Sequence, residues 1–216
     1  MLQVIYNSCE RVGPGLLAES LNLATGVVIL LTGLWFLTRS RQPELSWWMA
    51  LQVVLMGMTA LLSHAWPNVV TEALSVVPIV LFFAVAVYAY ARDLLSLSHG
   101  ESIAAVLIVL PFVAISQPLN FLLDGPAASA GFAAMPVFML GIAVLLRQRD
   151  NLAGLRVLGA AGLLAAGLVL RAADKPLCAE FPFGTHALWH VLATIVVAIL
   201  ICTYRRHLLA AGNARG

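Results

Sequence analysis

Phe183-Gly184-Thr185-His186-Ala187-Leu188-Trp189-His190 runs on through VLATIVVAILICTY to Tyr204 without one Asp, Glu, Lys or Arg. An uncharged apolar run of about 20 residues is what a helix needs to cross the hydrocarbon core of a bilayer. Yet this one opens with two histidines. Four residues apart on a helix, His186 and His190 project from one face, one turn above each other, and can reach a single metal ion together. Ionisable groups inside a membrane segment are costly and mark a functional site by default. A third ligand has to come from another helix at the same depth, and His64, near the end of the second apolar stretch, is placed to supply it.

The rest of the chain agrees with a membrane setting. Of its 216 residues, 62% are hydrophobic and 10% charged, with a mean hydropathy of +0.96, outside the range of soluble globular domains. Seven apolar stretches follow one another at about 17–38, 45–66, 69–90, 102–123, 127–146, 152–170 and 183–204. The expectation is an all-α bundle of seven transmembrane helices, one domain over 1–216, with no soluble module. Polar connectors fall at 39–44, 92–101 and 171–182, a tight turn at Asp124-Gly125-Pro126, and a polar tail from Arg205. Pro111 and Pro118 are kinks that neighbouring helices can satisfy. Gly159, Gly162, Ala166 and Gly167 predict close helix contact in the sixth stretch. The start lacks a basic n-region and a small-residue cleavage site, so no removable signal peptide is expected.

Orientation follows from the basic residues. Arg39, Arg41, Arg92, Arg147, Arg149, Arg156, Arg205, Arg206 and Arg215 fall on one side, against Arg11, Arg171 and Lys175 on the other. The positive-inside rule then places the N-terminus outside and the C-terminus in the cytoplasm. The expected location is a bacterial-type inner membrane, with the site toward its periplasmic or outer face. His64, His186 and His190 all come to that face, with Glu10, Glu19, Asn22, Glu72, Ser75 and Asp174 on the same side. His99 and His207 are expected in loops on the opposite side. The basic residues form no stripe, which excludes nucleic acid as a partner.

Three imidazoles leave a fourth position for water, a ligand set that suits catalytic zinc. Two alternatives stand beside it: histidines that tie helices by hydrogen bonds, and haem ligated by histidines from different helices. The i, i+4 spacing fits one small ion better than an iron with trans ligands. Cys9 and Cys178 share the outer side, where a disulfide is permitted; the alternative is two free thiols, and Cys202 reads as packing. Glu19 and Asn22 share a helix face, either backing the ligands or sitting as interface residues near a helix start. Glu72 lies one turn before Ser75 on the same face.

Taken together, the pattern resembles the alkaline ceramidase family, within the seven-helix membrane hydrolases that include the adiponectin-type receptors. The resemblance is carried by Cys9-Glu10-Arg11 with Glu19-Ser20-Leu21-Asn22, by Gly57 through His64, by Val77-Pro78, and most specifically by Cys178 through His190. It implies zinc on His64, His186 and His190, a Cys9–Cys178 disulfide, and hydrolysis of a ceramide amide to a fatty acid and a sphingoid base. Two positions depart from the family. Ala60 stands where a serine is usual four residues before the second-helix histidine, and Ser75 stands where an aspartate is usual before the third-helix proline. Ser63 and Thr59 flank the first of these positions, and Glu72 lies one turn from the second. Some members also hold calcium through acids of the head; Glu10 and Glu19 match, while Asn7, Ser8 and Val12 do not, which predicts weak calcium binding or none.

The expected function is therefore a zinc-dependent hydrolase of ceramide or a related N-acyl lipid. Its membrane-lipid substrate would enter from the bilayer, with Glu72 handling protons and Ser63 the other helper. The alternative is a non-catalytic, zinc-stabilised lipid-binding or receptor-like protein, which Ala60 and Ser75 favour.

Overall fold

The computed structural model describes residues 8–11, 13–40, 44–116, 129 and 131–213, with side chains described outside 113–116 and 211–213. Among the described residues there are seven α-helices: α1 Ser20–Arg39, α2 Leu45–Ala65, α3 Val69–Ala89, α4 His99–Ser116, α5 Ala134–Arg147, α6 Asn151–Ala173 and α7 His186–Asn213. Five of them, α1, α2, α3, α6 and α7, are long and apolar enough to cross a membrane; α4 and α5 are apolar but shorter. Helices suit lipid because every interior backbone donor finds its acceptor within the same segment. Large apolar side chains such as Leu31, Val137, Val169 and Phe112 point outward and stay exposed, the surface an integral membrane protein presents to acyl chains.

Local chemistry fixes the helix starts. Asn68 caps α3 through a capping box with Thr71, and Asp150 caps α6 by accepting from the Ala153 N–H at 2.9 Å. Each such cap satisfies donors that the first turn leaves free. Gly184, at φ +68°, breaks the chain before α7, so this helix opens at His186 and not at Phe183.

Each helix packs on the next in sequence, and α7 returns to α1, closing a ring; α7 also touches α2. The α1–α2 contact is made backbone to backbone. A Cβ on Gly33 would come within 2.5 Å of the Val54 nitrogen, and one on Gly57 within 2.5 Å of Leu30. In α6 only part of the small-residue expectation holds. A Cβ on Gly167 would meet the Trp189 ring at 2.9 Å, whereas Gly159 and Gly162 have no neighbour within 4 Å.

Several other sequence expectations are corrected. α3 passes through a π-helical turn, Tyr90–Leu94, so Arg92 and Asp93 are helical. His99 is the first residue of α4, and His207 lies inside α7, which continues to Asn213. A polar composition ends a membrane span, but Arg, Leu and Ala are good helix formers and carry the helix on. Arg171 likewise belongs to the last turn of α6 and not to the connector. Pro118 and Asp124-Gly125-Pro126 lie outside the described residues, as do positions 127, 128 and 130 of the fifth stretch.

The ring encloses a cavity of about 460 Å³. Phe82, Phe83, Met139, Val197 and Leu200 line its apolar depth. Its polar end lies where α1, α3 and α7 begin and where α2 and α6 end. At the far end of the bundle Tyr204 donates to Asp93, and Tyr90 donates to the Leu200 carbonyl at 2.9 Å.

Candidate metal centre

His64 stands in the last turn of α2, His186 opens α7 and His190 follows one turn later. One ring nitrogen from each lies within 4.8 Å of the others, so the three could hold a metal ion; His64 and His190 are buried and His186 is half-buried. The Nε2 atoms of His64 and His190 are 3.4 Å apart. Two nitrogens bound tetrahedrally to one zinc at ordinary bond lengths lie about 3.3 Å apart, so the spacing fits a shared ion.

Proton placement supports the same fit. Nδ1 of His64 lies 2.6 Å from a Glu19 carboxylate oxygen, so this nitrogen carries the proton and Nε2 is bare. Nδ1 of His190 lies 2.9 Å from Thr25 Oγ1. That hydroxyl gives its own proton to the Asn22 carbonyl at 2.9 Å, and so accepts from His190. The tautomers assigned from this network leave two bare lone pairs facing each other at 3.4 Å. A hydrogen bond between them would need a second proton on one of the two rings. A cation between them turns the repulsion into attraction, which favours a metal over rings that tie helices to each other.

Glu19 is the hinge of the support. One carboxylate oxygen accepts from His64 and from Asn22 Nδ2, the latter at 3.1 Å, and the other pairs with Arg11. The Arg11 and Glu19 side chains are only 1% and 3% exposed, so this is a buried pair. Arg11 also donates to the carbonyls of Gly13 and His64. Burial by itself would raise the Glu19 carboxyl. The hydrogen bonds from His64, Arg11 and Asn22 oppose it and hold the group below the usual carboxylate range.

Glu10 has a different task from Glu19. Its two oxygens accept from the backbone N–H groups of Leu21 and Asn22 and from Ser20 Oγ, capping α1 with an anion where the helix dipole favours one. Asn22 braces Glu19 and Ser8. Both head-region carboxylates are thus engaged by the chain's own donors.

Cys9 and Cys178 form a disulfide, with Cα atoms 5.4 Å apart across 169 residues of sequence. Beside it the buried Asp174 accepts from the backbone N–H groups of Cys9 at 3.0 Å, Thr185 at 2.6 Å and His186 at 2.8 Å. One carboxylate therefore joins the head to the first turn of the helix that carries two of the candidate metal ligands.

The proposed helpers separate. Glu72 lines the cavity, and its carboxyl makes no hydrogen bond among the described residues. Ser63 lines it too, but its hydroxyl donates to the Ala60 carbonyl at 3.1 Å. Ala60 and Ser75 are also on the wall, with Ser75 Oγ donating to the Glu72 carbonyl at 2.7 Å. Thr59 bonds the carbonyls of Leu55 and Met56 and is not part of the lining. Sequence reasoning gave no role to Arg11, Thr25, Asp174 or Arg171. For Thr25 the available signal was its place one turn after Asn22. Compared with known proteins, the chain matches no family model, no curated protein and no solved structure.

Proposed function

We propose that this protein is a zinc-dependent membrane hydrolase that cleaves the amide bond of ceramide or a related N-acyl lipid, giving a fatty acid and a sphingoid base or amine. The observation that carries this is the pair of bare imidazole nitrogens 3.4 Å apart, with His186 beside them, at the polar end of an otherwise apolar cavity of about 460 Å³. The resemblance to alkaline ceramidases supports it through the same three histidines and the Cys9–Cys178 pair. All seven helices would then span the bilayer. The N-terminus and the site would face outward, where the disulfide is chemically stable.

His64, His186 and His190 would hold the ion. When bound, zinc supplies a Lewis acid that polarises an amide carbonyl and lowers the pKa of a water toward neutrality. The apolar depth around Phe83, Met139 and Leu200 would take the acyl chain and exclude bulk water. Glu72, whose carboxyl makes no hydrogen bond among the described residues, is the carboxylate able to take a proton from the attacking water and return it to the leaving nitrogen. Water adds its hydroxyl to the acyl carbon as the C–N bond breaks, and its remaining proton ends on the amine.

Fatty-acid release from a panel of N-acyl lipids, by purified protein of measured zinc content with His190→Ala beside it, tests the proposal. Release that vanishes together with the zinc supports a metallo-amidase. One observation favours a second reading. Alanine and serine stand on the cavity wall at positions 60 and 75, where the family places a serine and an aspartate. No release from zinc-loaded protein across the panel would select a metal-stabilised lipid-binding or receptor-like protein.

A further inference from the structure

Arg171 is a cation inside the chamber that no part of the proposed hydrolysis employs. It lines the same cavity as the three histidines. Its Nη1 donates to Ser129 Oγ at 3.0 Å, and its guanidinium lies 5.3 Å from the centre of the Phe132 ring. Among the described residues no carboxylate comes within ion-pair distance of it, and its other N–H groups have no partner. Two of the nearby carboxylates are occupied elsewhere. Asp174 is engaged by three backbone N–H groups, and Glu19 by Arg11, His64 and Asn22. Glu72 shares the cavity and attracts Arg171 through space, but it stands beyond ion-pair distance among the described residues. A guanidinium fixed against an aromatic face with a free fork of donors is built to receive a planar anion in two parallel hydrogen bonds.

Its depth says which end of a lipid it would meet. α6 and α7 run antiparallel, with Thr185 Oγ1 donating to the Leu170 carbonyl at 2.5 Å and Gly167 facing the Trp189 ring. Arg171 is therefore level with the start of α7, about one turn to the rim side of His190. The apolar depth lies beyond His190 on the other side. An acyl chain in that depth puts its amide at the histidines and whatever the nitrogen carries beside Arg171. The exposed Lys175, which also lines the cavity, adds a second positive charge at the rim.

We infer that Arg171 is a specificity residue for an anionic group on the amine side of the substrate, so that the preferred N-acyl lipid bears a carboxylate there, as an N-acyl amino acid does. This rests on the hydrolase proposal for the position of the amide, and on the structure alone for the presence of the cation.

Equilibrium binding to zinc-loaded protein in detergent decides it, using N-dodecanoylglycine, its methyl ester and dodecanoate, with hydrolysis of the two amides measured in parallel. The expected result is ~10–100-fold tighter binding of the acid than of the ester. Arg171→Met abolishes that ratio at unchanged zinc content, Arg171→Lys restores part of it, and Lys175→Met retains most of it. Equal binding of acid and ester by the wild type overturns the inference. So does an Arg171→Met loss that is the same for both, which would mark a structural role. If Arg171→Met weakens dodecanoate but not N-dodecanoylglycine, the guanidinium reads the fatty-acid product and the assignment to the amine side fails. Absence of hydrolysis of these amides and of the wider N-acyl lipid panel overturns the hydrolase proposal and with it the amine-side assignment, while the binding ratio still decides whether Arg171 reads a carboxylate.

Discussion

A carboxylate oxygen of Glu19 lies 2.6 Å from Nδ1 of His64, and this contact fixes which face of the imidazole is free for a metal. Partners of this kind typically change metal affinity about tenfold to a hundredfold when removed. Glu19→Gln keeps the size and a weaker acceptor, so the expected result is a zinc affinity lower by about that factor, measured by competition with a fluorescent chelator. The substitution is milder than Glu19→Ala, which would leave Arg11 buried and unpaired at a cost of about 3–5 kcal/mol. An unchanged affinity in Glu19→Gln would reduce the contact to a tie between α1 and α2.

The Cys9–Cys178 disulfide closes a loop of 169 residues. Loop-closure entropy for so long a loop corresponds to about 5.2 kcal/mol in a fully unfolded chain. Helices persist in unfolded membrane proteins, so about 2–4 kcal/mol is expected. Cys9→Ser, Cys178→Ser and the double variant should all show the same lowered melting midpoint in detergent, since each removes the one bond. Reductant should bring the wild type to the same value. Weaker zinc binding should accompany the loss, because the head carries Arg11 to Glu19 and to the His64 carbonyl. A double variant that melts well below either single one would assign the stabilisation to the separate side chains.

Periodicity and hydropathy made the helices legible, and the histidine spacing made the histidine cluster legible, because both depend on neighbours within one segment. His186 and His190 are one turn apart in any helix, and the third ligand followed from depth alone. What stayed hidden depends on contacts between segments. Arg11, Glu19 and His64 meet across three separate parts of the chain, and nothing local in Arg11 distinguishes a buried partner from an exposed loop cation. Gly33 and Gly57 look like ordinary small residues, yet they set the α1–α2 crossing. The conspicuous Gly159 and Gly162 meet no neighbour within 4 Å among the described residues. His207 continues α7 because polarity ends a span without ending a helix.

Gly184 should tolerate no side chain. Its φ is +68°, and a Cβ there would approach Asp174 Oδ1 to 2.2 Å and Cys9 Cβ to 2.8 Å. Gly184→Ala therefore strains the backbone and pushes away the carboxylate that caps α7, with an expected destabilisation of about 1–3 kcal/mol. Gly159→Ala is the control. It meets open space and improves helix propensity, so its melting midpoint should stay level or rise. If Gly184→Ala melts like Gly159→Ala, the turn before α7 is not held as described.

Glu72 and Ser63 should behave differently under truncation. A group that moves a proton in the transition state contributes about a hundredfold to ten-thousandfold, so Glu72→Gln should lower kcat by that order while zinc content stays unchanged. Ser63 gives its proton to the Ala60 carbonyl at 3.1 Å, and Ser63→Ala should change the rate little. Comparable losses in the two variants would move the proton-handling role away from Glu72.

Ala60 offers the opposite test, a gain. It sits on the cavity wall, four residues before His64, 9% exposed, so a hydroxyl added there would face the chamber one turn from a metal ligand. A donor aimed at the developing oxyanion is worth about a hundredfold to a thousandfold where it is well placed. An added hydroxyl can also satisfy itself on the preceding turn, as Ser63 and Thr59 do, and only its remaining population serves the reaction. Ala60→Ser is therefore expected to raise kcat by about tenfold, with KM and zinc content little changed. A rise in kcat alone would identify oxyanion stabilisation as the limiting deficiency of the wild-type site. No rise, with zinc and lipid binding intact, would indicate that the carbonyl is already supported by another group or that the chamber binds its lipid without hydrolysing it. Fatty-acid release by the wild type separates those two outcomes.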